Sequence, residues 1–204
     1  MPVTHPPPAR PPDGAVDAPG PTGPTDAAVI ERSRAEPELF SLIFDRYHAR
    51  IHRYAAARLG MAAAEDITAD TFLAAFDQRH RYDPAHPEAR AWLYGIATRL
   101  ISRHRRAEVR FYRAMRRAGR QDADPGHADR VVDRMAAAQL HPEVARGLAR
   151  LSKDDRAALT LVAFARLSYA EAAVALGVPP GTVASRVNRA RRKLRTALEA
   201  LNDE

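Results

Sequence analysis

Apolar residues recur along most of this 204-residue chain at three- and four-residue steps, the period of a helix with one buried face. Leu39, Phe40, Ile43, Phe44, Tyr47, Ile51, Tyr54 and Leu59 form a stripe over six turns that starts at Pro37 and stops at Gly60. The next segment, AAAEDITADTFLAAFDQ, directs Ile67, Phe72, Leu73 and Phe76 inward and leaves Glu65, Asp66, Asp70 and Asp77 mainly on other faces. A polar loop from Gln78 to Pro87 leads to a long helix whose buried side carries Trp92, Leu93, Ile96, Leu100 and Ile101. A shorter helix near the start of the ordered chain takes Asp26 as its N-cap and buries Val29 and Ile30. No strand period alternates with these helices, so the expected class is all-α.

The pattern breaks twice. Residues 1–25 form a Pro-rich tail: nine of the sixteen prolines lie before Thr25 with almost no large apolar residue. Such a segment cannot bury enough surface to offset its ordering entropy, and disorder is expected there. The second break, QDADPGHAD, lies in a linker placed at 107–141. It separates an N-terminal helical bundle at 26–106 from a C-terminal helix-turn-helix domain at 142–204. The second domain begins near His141-Pro142 with Val144, Leu148 and Leu151, then a cap at Ser152 before Leu159, Leu161, Val162 and Phe164.

The most informative stretch is SYAEAAVALGVPPGTVASRVNRARRKLR, from Ser168 to Arg195. Ser168 and Glu171 have capping-box spacing. Gly177 suits the left-handed end of that helix, and Pro179-Pro180 offers a new start that needs no N–H. Val183, Val187, Ala190, Leu194, Leu198 and Leu201 then form one stripe. Arg186, Arg189, Arg191, Arg192, Lys193 and Arg195 fill the other faces, with no acid among them. A packed face backing a cationic one behind a tight turn suits a DNA-reading helix. The stripe leaves Ser185, Arg186 and Arg189 facing a groove, with Thr182 at the helix start and Arg192 and Lys193 along the phosphates.

Charge extends the same reading. The net charge of +7 favours a polyanionic partner. Nine arginines and one glutamate, Glu108, lie between Arg99 and Arg120. Such a run repels itself unless an anion or salt screens it. Arg99, Arg103 and Arg106 are candidate nucleic-acid contacts. Tyr82 and Trp92 are candidate stacking platforms for unpaired bases, in company with Arg79, His80, Arg81 and His86.

Catalytic chemistry finds little purchase. His48 and His52 have the spacing of two metal ligands on one helix face, but local sequence places no third. Glu65 and Asp66 are neighbours that point about 100° apart. The glycines form no phosphate-cradling loop, and the absence of cysteine excludes disulfides and thiolate sites. No catalytic activity, metal or cofactor is expected. Without a long apolar run or a signal peptide's apolar centre, a cytoplasmic location is expected.

The stretch GVPPGTVASRVNRARRKLR, preceded by LSKDDRAALTLVAFARLSYAEAA, resembles the promoter-reading domain of bacterial RNA polymerase sigma factors. The resemblance is to the sigma-70 family and its two-domain extracytoplasmic-function (ECF) subfamily. AEDITADTF, followed by AWLYGIATRLISRHRR, resembles the N-terminal domain of that subfamily in the expected order and spacing. The resemblance implies that Glu65, Asp66, Asp70 and Phe72 engage core polymerase, that the helix around Trp92 and Arg99 faces the −10 element, and that the helix-turn-helix reads the −35 duplex. It also implies that a base flipped from the −10 element is captured by the loop holding Tyr82. Core polymerase and promoter DNA are the implied partners, no membrane is involved, and an anti-sigma protein is a partner the resemblance leaves open. Arg99 stands where the subfamily usually has Asn, Ala172 where it has Ile, and Ala184 where a basic residue is frequent. The rival reading is a free-standing helix-turn-helix regulator that binds an operator without polymerase.

Linker length constrains either reading. Fully extended, 107–141 spans roughly 115 Å at about 3.3 Å per residue, but as a coil it averages only about 30–35 Å. Two DNA elements two turns apart lie roughly 70 Å from each other, so the linker must be held extended to let the domains reach both.

Overall fold

The computed structural model describes residues 23–118, 147–148 and 150–202, and of these the side chains at 112–113, 116–118 and 197–202 are not described. Every element among them is helical. In chain order they are α1 (Asp26–Arg32), a 3-10 turn (Pro37–Phe40), α2 (Ser41–Leu59), α3 (Met61–Gln78), a 3-10 turn (Arg79–Arg81), α4 (Arg90–Ala118), α5 (Lys153–Leu159), a π-helical turn (Thr160–Phe164), α6 (Tyr169–Leu176) and α7 (Pro180–Asn202).

The first domain is built on the α2–α3 hairpin, across which α4 packs. Gly60 makes the reversal with φ of 83°, a conformation a side chain at that position would strain. Tyr54 is fully buried at the centre. Its hydroxyl lies 2.8 Å from the Thr98 hydroxyl and accepts from the Arg58 guanidinium at 3.2 Å, while its ring meets Tyr94 edge-on. One line of hydrogen bonds thus joins α2 to α4 through the core.

Asp26 does not cap α1. Thr25 does, its hydroxyl accepting from the Ala28 amide at 3.2 Å, and this frees the Asp26 side chain for tertiary contacts. Buried, its carboxylate accepts from Arg46 at 2.6 Å, from the Tyr47 hydroxyl at 2.5 Å and from the Ala89 amide at 2.9 Å. Three segments distant in sequence converge on one charge. The Tyr47 hydroxyl is held protonated far above its ordinary range by burial and by the bond to Asp26.

Two expected core residues lie outside. Leu73 is 61% exposed and Phe44 41%. The α2 and α3 stripes are wider than the surface the neighbouring helices cover, so their outer edges stay in solvent beside buried Phe72, which touches the Phe44 ring at 4.9 Å. The helix expected to end near Arg106 continues through Ala118. The first residues of the expected linker, Ala107 to Ala118, are therefore helical. Residues 119–146, which hold the remainder of the expected linker with His141, Pro142 and Val144, lie outside the described residues, as do residues 1–22 of the tail.

In the second domain Ser152 caps α5, as expected, accepting from the Asp155 amide at 3.1 Å. The chain leaves the π-helical turn through Arg166, a non-glycine residue with φ of 55°, and enters α6. The buried stripe of α7 packs on both α5 and α6.

Replacing Asp26 with Asn should lower unfolding stability by about 1.5–3 kcal/mol, the scale of hydrogen bonds to a charged group. Urea unfolding followed by fluorescence of the single tryptophan, Trp92, checks it, with a shifted midpoint expected at unchanged slope.

Candidate nucleic-acid interface

The turn of the second domain is assembled from local rules. Both halves of the capping box form: the Ser168 hydroxyl accepts from the Glu171 amide at 3.2 Å, and Glu171 accepts from the Ser168 amide at 2.7 Å. Gly177 closes α6 in the left-handed region with φ of 64°. Pro180 opens α7, and Val183, Val187 and Ala190 are fully buried. Ala172, which stands where the subfamily usually has Ile, is also fully buried.

The cations of α7 divide into two groups. Arg186 donates to Asp154 at 3.3 Å, and Arg189 donates to Asp155 at 3.3 Å. Lys193 stands 3.9 Å from the second Asp155 oxygen, which has no hydrogen-bond partner. Asp155 is buried, and Asp154 is half exposed. The acids come from the first turn of α5, about 30 residues upstream, so a search for acids within α7 itself could not find them. The visible signal was LSKDD, where two acids follow a cap. That pattern satisfies a helix N-terminus, and nothing in it names a tertiary partner.

Solvent holds the remainder. Ser185, Asn188, Arg191, Arg192 and Arg195 are exposed, and Thr182 is half-buried. The Ser185 hydroxyl donates back to the Thr182 carbonyl at 2.9 Å. Asn188 was missed by a reading that followed charge. It lies one turn beyond Ser185 on the exposed side, and its amide is both donor and acceptor.

On α4, Arg99, Arg103, Arg106 and Arg110 are all exposed, at spacings of four, three and four residues that keep them along one side. Arg105 turns the other way and donates to the Arg58 carbonyl. The loop before α4 is less open than expected. Tyr82 is buried, its ring edge-on to Trp92 at 5.0 Å and its hydroxyl donating to the His86 carbonyl. Burial keeps that hydroxyl protonated well above its ordinary range. Arg79 is also engaged, bonded to the Phe76 and Ser33 carbonyls over the Phe76 ring. Of the candidate stackers, His80 and Arg81 are exposed and Trp92 is half-buried.

A third surface lies on α3. Glu65, Asp66 and Asp70 are exposed next to the uncovered Leu73, and Phe72 lies beneath. His48 and His52 stack with ring centroids 6.1 Å apart, and His48 also meets Phe44. No cluster of three or more metal-ligating side chains occurs among the described residues. No described helix is long and apolar enough to cross a membrane.

These faces and folds define an all-helical, two-domain protein carrying a helix-turn-helix. A family model described as Sigma-70 region 2 matches residues 43–111, and one described as Sigma-70, region 4 matches residues 142–194. The ECF RNA polymerase sigma factor SigL of Mycobacterium tuberculosis is 33% identical over 176 residues, covering 86% of this chain and 97% of that one. SigC of the same species is 37% identical over 144 residues, covering 69% and 73%. Among solved structures, CnrH in complex with the cytosolic domain of CnrY matches with a TM-score of 0.61 and 25% identity, covering 86% and 97%. The sigma factor RpoE of Bartonella quintana, solved with the anti-sigma factor NepR, shares the fold at a TM-score of 0.52 and 24% identity. The chain belongs to the ECF subfamily of sigma-70 RNA polymerase sigma factors.

The two acids of α5 should differ in weight. Asp155→Asn should lower stability by about 1.5–3 kcal/mol because a buried carboxylate loses its charge-assisted bond. Asp154→Asn, a surface pair, should change it by about 0–1 kcal/mol. Urea melts by far-UV circular dichroism compare them directly.

Proposed function

We propose that this sigma factor directs core polymerase to promoters by reading two separated elements: the −35 duplex through α7, and the −10 region through α4. The observation that carries the reading is the helix-turn-helix itself, whose second helix buries Val183, Val187 and Ala190 and turns Ser185, Asn188 and Arg192 outward. The row of Arg99, Arg103 and Arg106 supplies a second polyanion-binding face in the other domain. Strand opening then draws on capture of unstacked bases near Trp92. Tyr82 joins only if it leaves its buried seat. The protein performs no chemistry of its own.

Core polymerase engages Glu65, Asp66 and Asp70, with the uncovered Leu73 and Phe44 as apolar anchors beside them. Phe72 supports that surface from below. An anti-sigma protein is a further partner, supported by the solved complexes of CnrH with the cytosolic domain of CnrY and of RpoE with the anti-sigma factor NepR. Asp70→Arg should weaken core binding at least about tenfold, a change of about 1.4 kcal/mol, while leaving the preferred −35 sequence unchanged. Competition with labelled parent protein for core measures this.

Within α7, Arg186 reaches a base only by releasing Asp154, whereas the exposed Asn188 side chain makes no bond among the described residues. Asn pairs in two places with adenine in the major groove. Arg189 and Lys193 share Asp155 and sit near the backbone with that acid beside them, while Arg192 meets phosphate unopposed. In transcription with purified core over a library randomised in the −35 element, Asn188→Ala should lose about 1–3 kcal/mol on the best promoter and relax one position. Arg192→Ala should weaken all promoters alike and lower the salt slope by about one. Relaxation at a position by Arg186→Ala would show that Arg186 swings off Asp154 to read it. Tight, selective binding of a palindrome without core would favour a free-standing regulator instead.

A further inference from the structure

Of the two acids in the first turn of α5, one has a place that folding stability does not explain. Asp155 is buried under Arg189 and Lys193, so its charge belongs to the packing of α5 on α7. The Asp154 side chain is 51% exposed and accepts from the Arg186 guanidinium at 3.3 Å. A pair that open adds little to folding. Its effect falls instead on where the Arg186 side chain lies. Ser185 and Asn188, on either side of it along α7, are exposed, as are Arg191, Arg192 and Arg195. Arg186 stands at the edge of the stripe, next to buried Val187, and its side chain is only 22% exposed. It is drawn toward α5 and away from the open side that its neighbours occupy.

Arginine engages guanine through two parallel donors aimed at O6 and N7. The bond to Asp154 occupies one arm of that fork. The two attractions compete on unequal terms. A bidentate arginine–guanine pair discriminates roughly 5- to 150-fold against the wrong base. An exposed ion pair is worth up to about fivefold. Asp154 therefore does not silence Arg186, but it weakens any guanine preference by about the strength of the ion pair. Asn188 is under no such restraint among the described residues.

We propose that Asp154, outside the helix-turn-helix, is a specificity-determining positioning residue. By holding Arg186 against α5 it lowers the preference for guanine at one −35 position and leaves most of the base reading to Asn188. The inference rests on the reading of the −35 duplex by α7 given above. A carboxylate near a duplex has a second, blander effect, because it repels phosphates whatever the sequence. The two effects have different signatures. Release of Arg186 changes the preference at a single base pair, whereas relief of repulsion strengthens every promoter alike.

Transcription by the full-length protein with purified core, over a library randomised in the −35 element, separates them. Asp154→Asn keeps the shape of the side chain and removes its charge. It should raise the preference for guanine at one position by about three- to fivefold, on top of any uniform gain. Asp154→Glu still offers Arg186 a carboxylate and should keep the parental preference. Adding Arg186→Ala to Asp154→Asn should abolish the new preference while leaving the uniform gain. Far-UV circular dichroism shows that the variants remain folded. An unchanged base preference in Asp154→Asn, or a gain shared by all sequences alike, overturns the proposal. So does loss of a guanine preference that the parent possesses, because Asp154 would then be buttressing Arg186 on the base. A parent indifferent to the −35 sequence brings down the reading by α7 and this inference with it. A selective parent matched by Asp154→Asn brings down the inference alone.

Discussion

A carboxylate buried beneath a cationic helix sets the terms for the second domain. An arginine-rich helix such as α7 needs an anion nearby to limit its self-repulsion when no nucleic acid is bound, and Asp155 supplies it from within the fold. A lone buried carboxylate would be costly. Here the Arg189 and Lys193 side chains lie over it, so the charge that would destabilise α5 holds α7 against it instead. The position of the cationic side is thus set by electrostatics as well as by the Val183, Val187 and Ala190 stripe.

The same pairing explains what could be read from sequence and what could not. Caps, stops and stripes depend on residues within one turn of each other, and Ser152, Ser168, Glu171, Gly177 and the buried valines of α7 were all legible. Asp26 and Asp155 were not understood, because their partners lie on other helices. Asp26 had the composition of a cap but spends its carboxylate on Arg46, Tyr47 and Ala89. The order of helices was accessible, and the tertiary use of charge was not.

A similar limit governs the apolar surface. Periodicity identifies which side of a helix is apolar, not how much of that side its neighbours cover. Leu73 and Phe44 satisfy the period yet stand in solvent, whereas Tyr82, in a polar loop, is buried against Trp92. An aromatic in a loop of arginines and histidines invites a base-stacking role. Here the ring instead braces the segment that delivers α4, and Trp92 is the aromatic that retains partial access to solvent.

The length of α4 changes how the two halves of the molecule can communicate. Carried through Ala118, it has Arg90, which donates to the Arg166 carbonyl, in its first turn, Gly95 packed against Ala175 about a turn later and the arginine row beyond. Long helices curve gently and kink sharply mainly at proline or a bulge, and α4 contains no proline. An anion drawn to Arg99, Arg103 or Arg106 would therefore act on the same element that α6 packs against. A displacement at the arginine row would be felt at the Gly95 crossing about one turn away, at 1.5 Å of rise per residue. The exposed arginine row and the seat of α6 thus lie on one continuous helix.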